Sequence, residues 1–394
     1  MYMMRSRSTA DREGSLGVLD LVGLGVGGTI GSGIFVVPAV AAQMAGPSSL
    51  LSWVLCSISF GAVLACLTLL STKYAISGAF YTLFFKAFDR RLARLIILDY
   101  VISGIFGMAT IAAAIGENVS VSFINENIFL IGIIILFGLI NLLGIVISAW
   151  VEDVLTALKI LPLILVSILL LPFIDTGNFT PFAPAGNLAF LGSAVIVYWC
   201  YTGFEVSAIP SGSVKDPKKN VPLSLMLVFI IVTLIYFIVN FVLIGSAGAE
   251  SVASTYYPLS YVMERFYAGS GIFVLAIALI AMLSALNAYL LGTATVLKSF
   301  AAGIGSYLSK ESNNGVPYYA IITCTALGAG LIFFSNYFVL LASISVIMTL
   351  IPYIFLCWAA FRTFKGPGIR IIAIIGILSS IAVLVFSFLV PSLP

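Results

Sequence analysis

The chain has 394 residues, of which 61% are hydrophobic and 8% are charged, and its formal net charge is +3. Soluble domains carry about 25% charged residues, so this composition excludes a soluble domain of useful size and predicts a protein that crosses the membrane many times. The small net charge says little about partners, and we expect no nucleic acid partner. Because histidine is absent, any proton coupling would depend on carboxylates, lysine or tyrosine instead of imidazole.

Apolar stretches of about 20 residues, which are long enough to cross a bilayer as a helix, predict the membrane spans. In chain order, spans 1 to 11 cover about 16–41, 48–70, 93–117, 128–147, 153–173, 188–211, 221–246, 270–300, 316–334, 337–361 and 369–390. We therefore expect a single all-α transmembrane domain over residues 1–394. The aromatic-rich segment 249–268 is amphipathic, which is typical of a short interfacial helix.

The distribution of Lys and Arg predicts the orientation, because these residues accumulate on the cytoplasmic side. With the N-terminus inside, every Lys and Arg except Arg265 falls in an inside segment or at an adjoining helix end. The polar N-terminus has no signal-peptide cleavage pattern, so we expect span 1 to be retained. The C-terminus is then outside, and we expect a multi-pass protein of the plasma membrane.

Span 1 contains the glycine-rich stretch GLGVGGTIGSGIF at residues 23–35. Glycine disfavours a helix, and lipid offers no partners for a backbone that has left the helix. Such an interruption at membrane depth requires surrounding protein or a polar cavity, and in transporters it binds the substrate. The alternative is that the glycines only allow close packing of helices.

Span 5 contains Lys159, about six residues from its start, or roughly 9 Å into a helix. Lysines near helix ends often extend their ammonium group to the membrane surface. Ionisable groups inside spans are otherwise costly and commonly functional. Position alone leaves both interpretations of Lys159 open.

Span 6 contains a second interruption, at Thr202-Gly203, followed by Glu205. Two interrupted helices five spans apart predict a five-plus-five inverted repeat. The first repeat would cover about 16–173 and the second about 188–361, with an extra helix at about 369–390. Glu205 is either a structural carboxylate bonded to loose amides or a group that carries a proton.

The two interruptions predict the chemistry of a binding site. The amide end of an interrupted helix suits a carboxylate, and the carbonyl end suits an ammonium group. Together they match an α-amino acid. We expect substrate contacts from the first interruption at Ile30, Gly31, Ser32 and Gly33, and from the second at Trp199, Cys200, Thr202 and Gly203.

Other classes of protein lack support in the sequence. The cysteines lie in apolar stretches without metal-ligand spacing and are expected to be small buried side chains: Cys56, Cys66, Cys200, Cys324 and Cys357. There is no metal motif, no G-x-S-x-G sequence and no P-loop. We therefore expect no enzyme, no metal and no cofactor, and no filter residues indicate a channel.

Three stretches carry a resemblance to a known family: GTIGSGIFVVPA at 28–39, NLLGIVISAWVEDVLTALKILPL at 141–163, and YTGFEVSAIPSGSVKDPKKNVPLSL at 201–225. In sequence and spacing the chain resembles the amino acid–polyamine–organocation (APC) superfamily, whose members have the LeuT-type fold. The resemblance implies a substrate site between helices 1, 3, 6, 8 and 10. It also implies alternating access by rocking of helices 1, 2, 6 and 7. Trp199 matches the position of an aromatic gate in the arginine/agmatine exchangers.

The resemblance also implies a role for Lys159. In proton-coupled amino-acid transporters of the superfamily, a lysine in the matching stretch replaces the Na⁺ of sodium-coupled relatives. Its ammonium group would contact the carbonyl near Gly27 and the hydroxyl of Ser284, and Glu205 would be a second proton-linked group. We expect a proton-coupled amino acid symporter, with neutral amino acids favoured because Glu205 is the only acidic residue of the predicted site. The alternative is an exchanger without net ion coupling, and the oligomeric state is open.

Overall fold

The computed structural model describes residues 17–74, 80–118, 125–143, 145–204, 214–312 and 315–389. Within these ranges the chain forms α-helices joined by short connections and single 3-10 turns. In chain order the helices are α1 (Val18–Thr29), α2 (Gly33–Ala45), α3 (Ser49–Tyr74), α4 (Phe80–Ala87), α5 (Arg90–Asn118), α6 (Glu126–Leu142), α7 (Ile145–Leu170), α8 (Ala189–Trp199), α9 (Pro217–Ala247), α10 (Ala249–Ala253), α11 (Pro258–Phe266), α12 (Gly271–Gly303), α13 (Tyr318–Phe334), α14 (Phe338–Thr363) and α15 (Pro367–Leu389).

The length and composition of these helices are those of a membrane protein. In the described part of the chain, six helical segments are long and apolar enough to cross a bilayer: Gly33–Tyr74, Arg90–Asn118, Lys218–Ala247, Gly271–Gly303, Phe338–Thr363 and Pro367–Ser387. Shorter apolar helices occupy the other predicted spans. The all-helical fold is confirmed, whereas the number of eleven crossings stays a prediction.

Polarity is distributed as expected for a helix bundle in lipid. Large aliphatic side chains are exposed at helical spacing along α15, at Ile371, Ile374, Leu378 and Val385. Hydroxyl and amide side chains are buried between helices instead. Asn141 of α6, for example, donates to the amide oxygen of Asn287 on α12 at 3.0 Å. The mostly apolar interior of the bundle therefore contains paired polar groups, which are the usual functional candidates inside a membrane protein.

Span 1 is interrupted where the sequence predicts it. Helix α1 ends at Thr29 and α2 begins at Gly33, and between them Ile30 adopts extended dihedral angles of φ −80° and ψ 91°. Helix α8 ends at Trp199, after which the amides of residues 200–202 bond to carbonyls three residues earlier. The rest of the second interruption, including Glu205, lies outside the described residues.

Both interruptions lie at the centre of the bundle. Helix α1 packs against α7, α9 and α12, and α2 packs against α8. Helix α5 packs along both α12 and α14. The predicted amphipathic segment 249–268 contains α10 and α11, and α11 buries Leu259, Val262 and Met263 against this bundle. This packing places the two helix interruptions next to each other and away from lipid.

Candidate functional site

The two interruptions are in direct contact at Gly203. This residue has φ +98°, and a Cβ atom placed on it would lie 2.6 Å from the carbonyl oxygen of Gly28. Only glycine combines that backbone conformation with so little space. The turn after α8 therefore closes directly over the last turn of α1.

Two glycines of the first interruption also permit close helix approach. A Cβ atom on Gly31 would lie 2.6 Å from Cβ of Ala285 on α12, and one on Gly33 would lie 2.5 Å from Sγ of Cys200. These glycines therefore do allow close packing of helices. The helix is nevertheless interrupted at the same residues. The same residues end one helix, begin the next and bring α8 and α12 against the break.

The amide end of the first interruption has donors without a backbone acceptor within the described ranges. The first amides of a helix have no acceptor within that helix. Among the described residues, the amides of Gly31, Ser32 and Gly33 make no backbone hydrogen bond. The hydroxyl of Ser32 accepts a hydrogen bond from the indole nitrogen of Trp199 at 3.3 Å. An acceptor with two oxygens, such as a carboxylate, suits this end of α2.

The carbonyl ends of α1 and α8 converge on one side chain, Tyr236 of α9. Its hydroxyl lies 2.8 Å from the carbonyl oxygen of Thr29 and 2.9 Å from that of Cys200. Each of these helix ends carries partial negative charge, and a single phenol proton is shared between them. A carbonyl oxygen can accept a second hydrogen bond, so this point suits a further donor with positive charge.

The predicted carbonyl of Trp199 already has a donor within the protein. The hydroxyl of Thr202 lies 2.8 Å from this oxygen and 2.7 Å from the hydroxyl of Tyr289 on α12. The indole ring of Trp199 stacks at a tilt on the ring of Tyr289, with 5.7 Å between their centroids. Trp199, Thr202 and Tyr289 thus form one connected wall of the site.

Lys159 of α7 lies inside the bundle and does not reach the membrane surface. Its side chain is 0% exposed. The ammonium nitrogen donates to the carbonyl oxygen of Gly27 at 2.5 Å and to the hydroxyl of Ser284 at 2.8 Å. The structure therefore brings together the three residues that the family resemblance groups, and the buried ammonium group does not extend to the membrane surface.

Some of the residues around the site carry no signal in the sequence. Tyr236 stands in the stretch TLIYFIVN, where it reads as one more apolar aromatic residue of span 7. Tyr289 is likewise hidden in span 8. Their hydroxyl contacts emerge only from the packing of α9 and α12 against the two interruptions, which sequence periodicity does not encode.

The described residues contain no group of three or more His, Cys, Asp or Glu side chains that could hold a metal ion. The five cysteines are all free and buried. Cys200 lies at the site itself, where its backbone carbonyl accepts from Tyr236 of α9 and its sulfur faces Gly33 of the first interruption.

An interrupted helix whose free amides and carbonyls face a second interrupted helix, inside a bundle that buries its polar groups, defines the LeuT-type class of membrane proteins. The family model for amino acid permeases matches residues 16–394. The chain belongs to this family, which is part of the APC superfamily.

Known proteins resemble the chain to different extents. The chloroplastic cationic amino acid transporter 9 of Arabidopsis thaliana is 29% identical over 268 residues, which is 61% of this chain and 47% of that protein. The methylthioribose transporter of Bacillus subtilis is 30% identical over 252 residues, which is 59% of this chain and 55% of that protein. The chain thus matches about half the length of these relatives.

A solved structure supports the fold assignment. The Na⁺-coupled sialic acid symporter, in a substrate-bound outward-open state, aligns with a TM-score of 0.61 and 16% identity. The alignment covers 98% of this chain and 93% of the symporter chain. At this identity the likeness establishes the LeuT-type fold and says nothing about the substrate.

Proposed function

We propose that this protein is a secondary active transporter that moves amino acids across the plasma membrane by alternating access. The proposal rests on one observation: helix ends of opposite partial charge lie close together. The amide end of α2 lies beside the carbonyl ends of α1 and α8, where Trp199 donates to Ser32 and Tyr236 donates to Thr29 and Cys200. An α-amino acid presents a carboxylate and an ammonium group, one for each kind of helix end.

The carboxylate of the substrate binds at Gly31, Ser32 and Gly33. The partial positive charge at the start of α2 favours an anion there, and the amides supply donors. Glycine at two of the three positions brings α12 and Cys200 against this end of α2. Ser32 holds Trp199 beside this end, so the indole closes over the bound substrate.

The ammonium group binds where the carbonyl ends of α1 and α8 converge. Tyr236 supplies one proton to the carbonyl oxygens of Thr29 and Cys200, which leaves their remaining lone pairs for the substrate. The carbonyl of Thr202 is the third predicted acceptor. Gly203 brings this acceptor group against the last turn of α1.

Lys159 is the coupling group, and transport is proton symport. In its charged form Lys159 binds the carbonyl of Gly27, in the last turn of α1, and the hydroxyl of Ser284 on α12. Loss of the proton from Nζ removes the charge and weakens this hold on α1, which frees the helix end to move. Buried lysines can exchange a proton in this way. Glu205 is the second candidate for a proton-linked role.

The alternative is an amino acid exchanger in which Lys159 stays charged throughout and only holds α1 in place. In both cases the chain would cross the bilayer eleven times as two five-helix repeats and one extra helix, with the N-terminus in the cytoplasm.

Uptake of a panel of labelled amino acids into proteoliposomes, with and without a pH gradient, tests this proposal. We expect neutral amino acids to accumulate when the outside is acidic. Uptake that requires an amino acid on the opposite side and ignores the gradient would identify the exchanger. If no amino acid enters under any of these conditions, the proposed function is wrong.

A further inference from the structure

Exposed cations gather at one end of the bundle, where α3, α4 and α14 end, α15 begins and these helices pack on one another. We call this surface the basic face, and it consists of Lys73, Lys86, Arg362, Lys365 and Arg370. Within the described part of the chain Lys298 forms an ion pair with Glu311, but no cation of the basic face has a carboxylate partner. The charge of this surface is therefore not neutralised by the described carboxylates.

Two cations of the basic face are held side by side at the end of α14. Nζ of Lys73 donates to the carbonyl oxygen of Thr363 at 3.3 Å, and Nε of Arg370 donates to the carbonyl oxygen of Phe364 at 3.3 Å. These consecutive carbonyls belong to the helix end that carries partial negative charge. An ammonium group has three donors and a guanidinium group five, so both cations keep donors for a further acceptor.

Aromatic rings fix the positions of these cations further. Three cation–ring pairs have the charged group within 5.4 Å of the ring centroid: Lys73 on Phe364, Lys86 on Tyr74, and Arg370 on Phe361. The face of an aromatic ring attracts a cation electrostatically. Because the long side chains are already ordered by these contacts, a ligand that binds them pays less of the entropy cost of ordering them.

An apolar stripe continues from the basic face along α15. Ile374 and Leu378 follow Arg370 at intervals of four residues, so the three side chains share one face of the helix. Ile374 is 42% exposed and Leu378 is 61% exposed. A molecule whose charged group binds Arg370 therefore has an open hydrocarbon surface directly beside it.

Trp358 of α14 indicates the depth of the basic face in the membrane. Cζ of Arg362, one helical turn later, lies 6.0 Å from the centroid of its ring. The same ring packs on Phe88 and Phe355, with 5.5 and 5.7 Å between centroids, and is still partly exposed. Exposed tryptophan is typical of the level of the lipid headgroups, so the basic face lies at that level.

We propose that the basic face binds the headgroup of an anionic phospholipid, whose acyl chains lie along the apolar stripe of α15. The lipid phosphate accepts hydrogen bonds from Lys73 and Arg370, and the other cations of the face add attraction for the anionic headgroup. The stripe favours a lipid over a soluble anion, because a free phosphate gains nothing from Ile374 and Leu378. A zwitterionic lipid is disfavoured, because its own cation is repelled by this face.

Lipid binding to the purified protein tests this proposal without any transport measurement. Native mass spectrometry in detergent gives the Kd for dioleoylphosphatidylglycerol and for dioleoylphosphatidylcholine, which share acyl chains and differ in headgroup charge. The test variant combines Lys73→Gln, Arg362→Gln and Arg370→Gln. The matched control combines Lys215→Gln, Lys218→Gln and Lys219→Gln, and it removes the same charge from exposed lysines around the start of α9.

We expect the unmodified protein to bind phosphatidylglycerol about tenfold or more tightly than phosphatidylcholine. Each cation near the membrane surface contributes about fivefold in affinity for an anionic lipid. The test variant should therefore bind phosphatidylglycerol about 100-fold more weakly and phosphatidylcholine as before. The control variant should bind both lipids like the unmodified protein, and millimolar glycerol 3-phosphate should leave phosphatidylglycerol bound.

Unchanged binding of phosphatidylglycerol by the test variant, or equal binding of the two lipids by the unmodified protein, would overturn the proposal. Equal losses in the test and control variants would show that total charge, and not this surface, attracts the lipid. Displacement by glycerol 3-phosphate would identify a soluble anion as the occupant instead. Thermal unfolding in detergent checks the fold of each variant, and Arg370→Gln alone, with an expected loss of about fivefold, replaces a test variant that does not fold.

Discussion

The ammonium nitrogen of Lys159 lies 2.5 Å from the carbonyl oxygen of Gly27, in the last turn before α1 ends. The carbonyl end of α1 is therefore hydrogen-bonded directly to the proposed coupling group. In the proposed mechanism, a change in the proton on Lys159 would act directly on the helix end next to the proposed ammonium site.

Replacement of Lys159 by alanine should abolish the response of uptake to a pH gradient. The carbonyl of Gly27 then loses a charged donor in a buried position, which costs about 1–3 kcal/mol, and no proton is bound there. Uptake of a labelled amino acid into proteoliposomes, measured with and without an inward proton gradient, checks this. Retention of full gradient-driven uptake by Lys159→Ala would remove Lys159 from the coupling mechanism.

A pair of serines provides the matched control for this result. Ser284→Ala removes the second partner of Lys159, whereas Ser167→Ala removes a buried hydroxyl that bonds only within α7, to Leu163. We expect Ser284→Ala to lower gradient-driven uptake and Ser167→Ala to leave it unchanged. Equal effects of the two substitutions would indicate a general loss of packing.

Replacement of Tyr236 by phenylalanine should weaken amino acid binding. The variant keeps the ring but leaves the carbonyl oxygens of Thr29 and Cys200 without their shared donor, so the two helix ends repel each other and separate. We expect the KM for uptake to rise about tenfold, which corresponds to roughly 1.4 kcal/mol. Initial uptake rates over a range of amino acid concentrations provide the measurement.

Tyr201→Phe is the control for Tyr236→Phe. The two rings are in contact, with 5.3 Å between centroids, and both residues are fully buried. The hydroxyl of Tyr201, however, donates to the carbonyl of Trp53 at 3.2 Å and not to an interrupted helix. The KM of Tyr201→Phe should stay near that of the unmodified protein, and a similar rise in both variants would contradict the role of Tyr236.

Alanine at position 203 should destroy transport. The φ of +98° disfavours any residue with a Cβ atom, and that atom would collide with the carbonyl oxygen of Gly28 at 2.6 Å. In contrast, Gly132 of α6 has nothing within 4 Å of an added Cβ atom. Gly132→Ala should keep full uptake and gain up to about 1 kcal/mol of stability. Uptake assays and thermal unfolding in detergent distinguish the two variants. Full transport by Gly203→Ala would contradict the close contact between the two interruptions.

The sequence predicts the parts of this molecule that depend on local chemistry. An apolar run of about 20 residues has to be buried in lipid or protein as a helix, so the helices fall where hydropathy puts them. The interruption at residues 30–32 is predictable as well, because the dense run of glycines at residues 23–35 disfavours an uninterrupted helix. The grouping of Lys159 with Gly27 and Ser284 came from the family resemblance.

The rest of the site depends on how distant helices pack. Tyr236 and Tyr289 are chemically ordinary aromatic residues of apolar spans, and only their positions against the interruptions give their hydroxyl groups a role. The carbonyl of Trp199 looks available in the sequence, yet the hydroxyl of Thr202 already bonds to it. Gly31 and Gly33 show the same effect, since their contacts with Ala285 and Cys200 could not be derived from spacing along one helix.

The most direct test of the central claim, that the two interruptions bind the two charged ends of an amino acid, is a competition assay with blocked analogues. Uptake of a transported amino acid is measured in the presence of the same amino acid, its methyl ester or its N-acetyl derivative. Since the site is built to hydrogen-bond both ends, each derivative should compete about 100-fold more weakly or worse. Competition by either derivative at the strength of the parent amino acid would contradict the assignment of the helix ends.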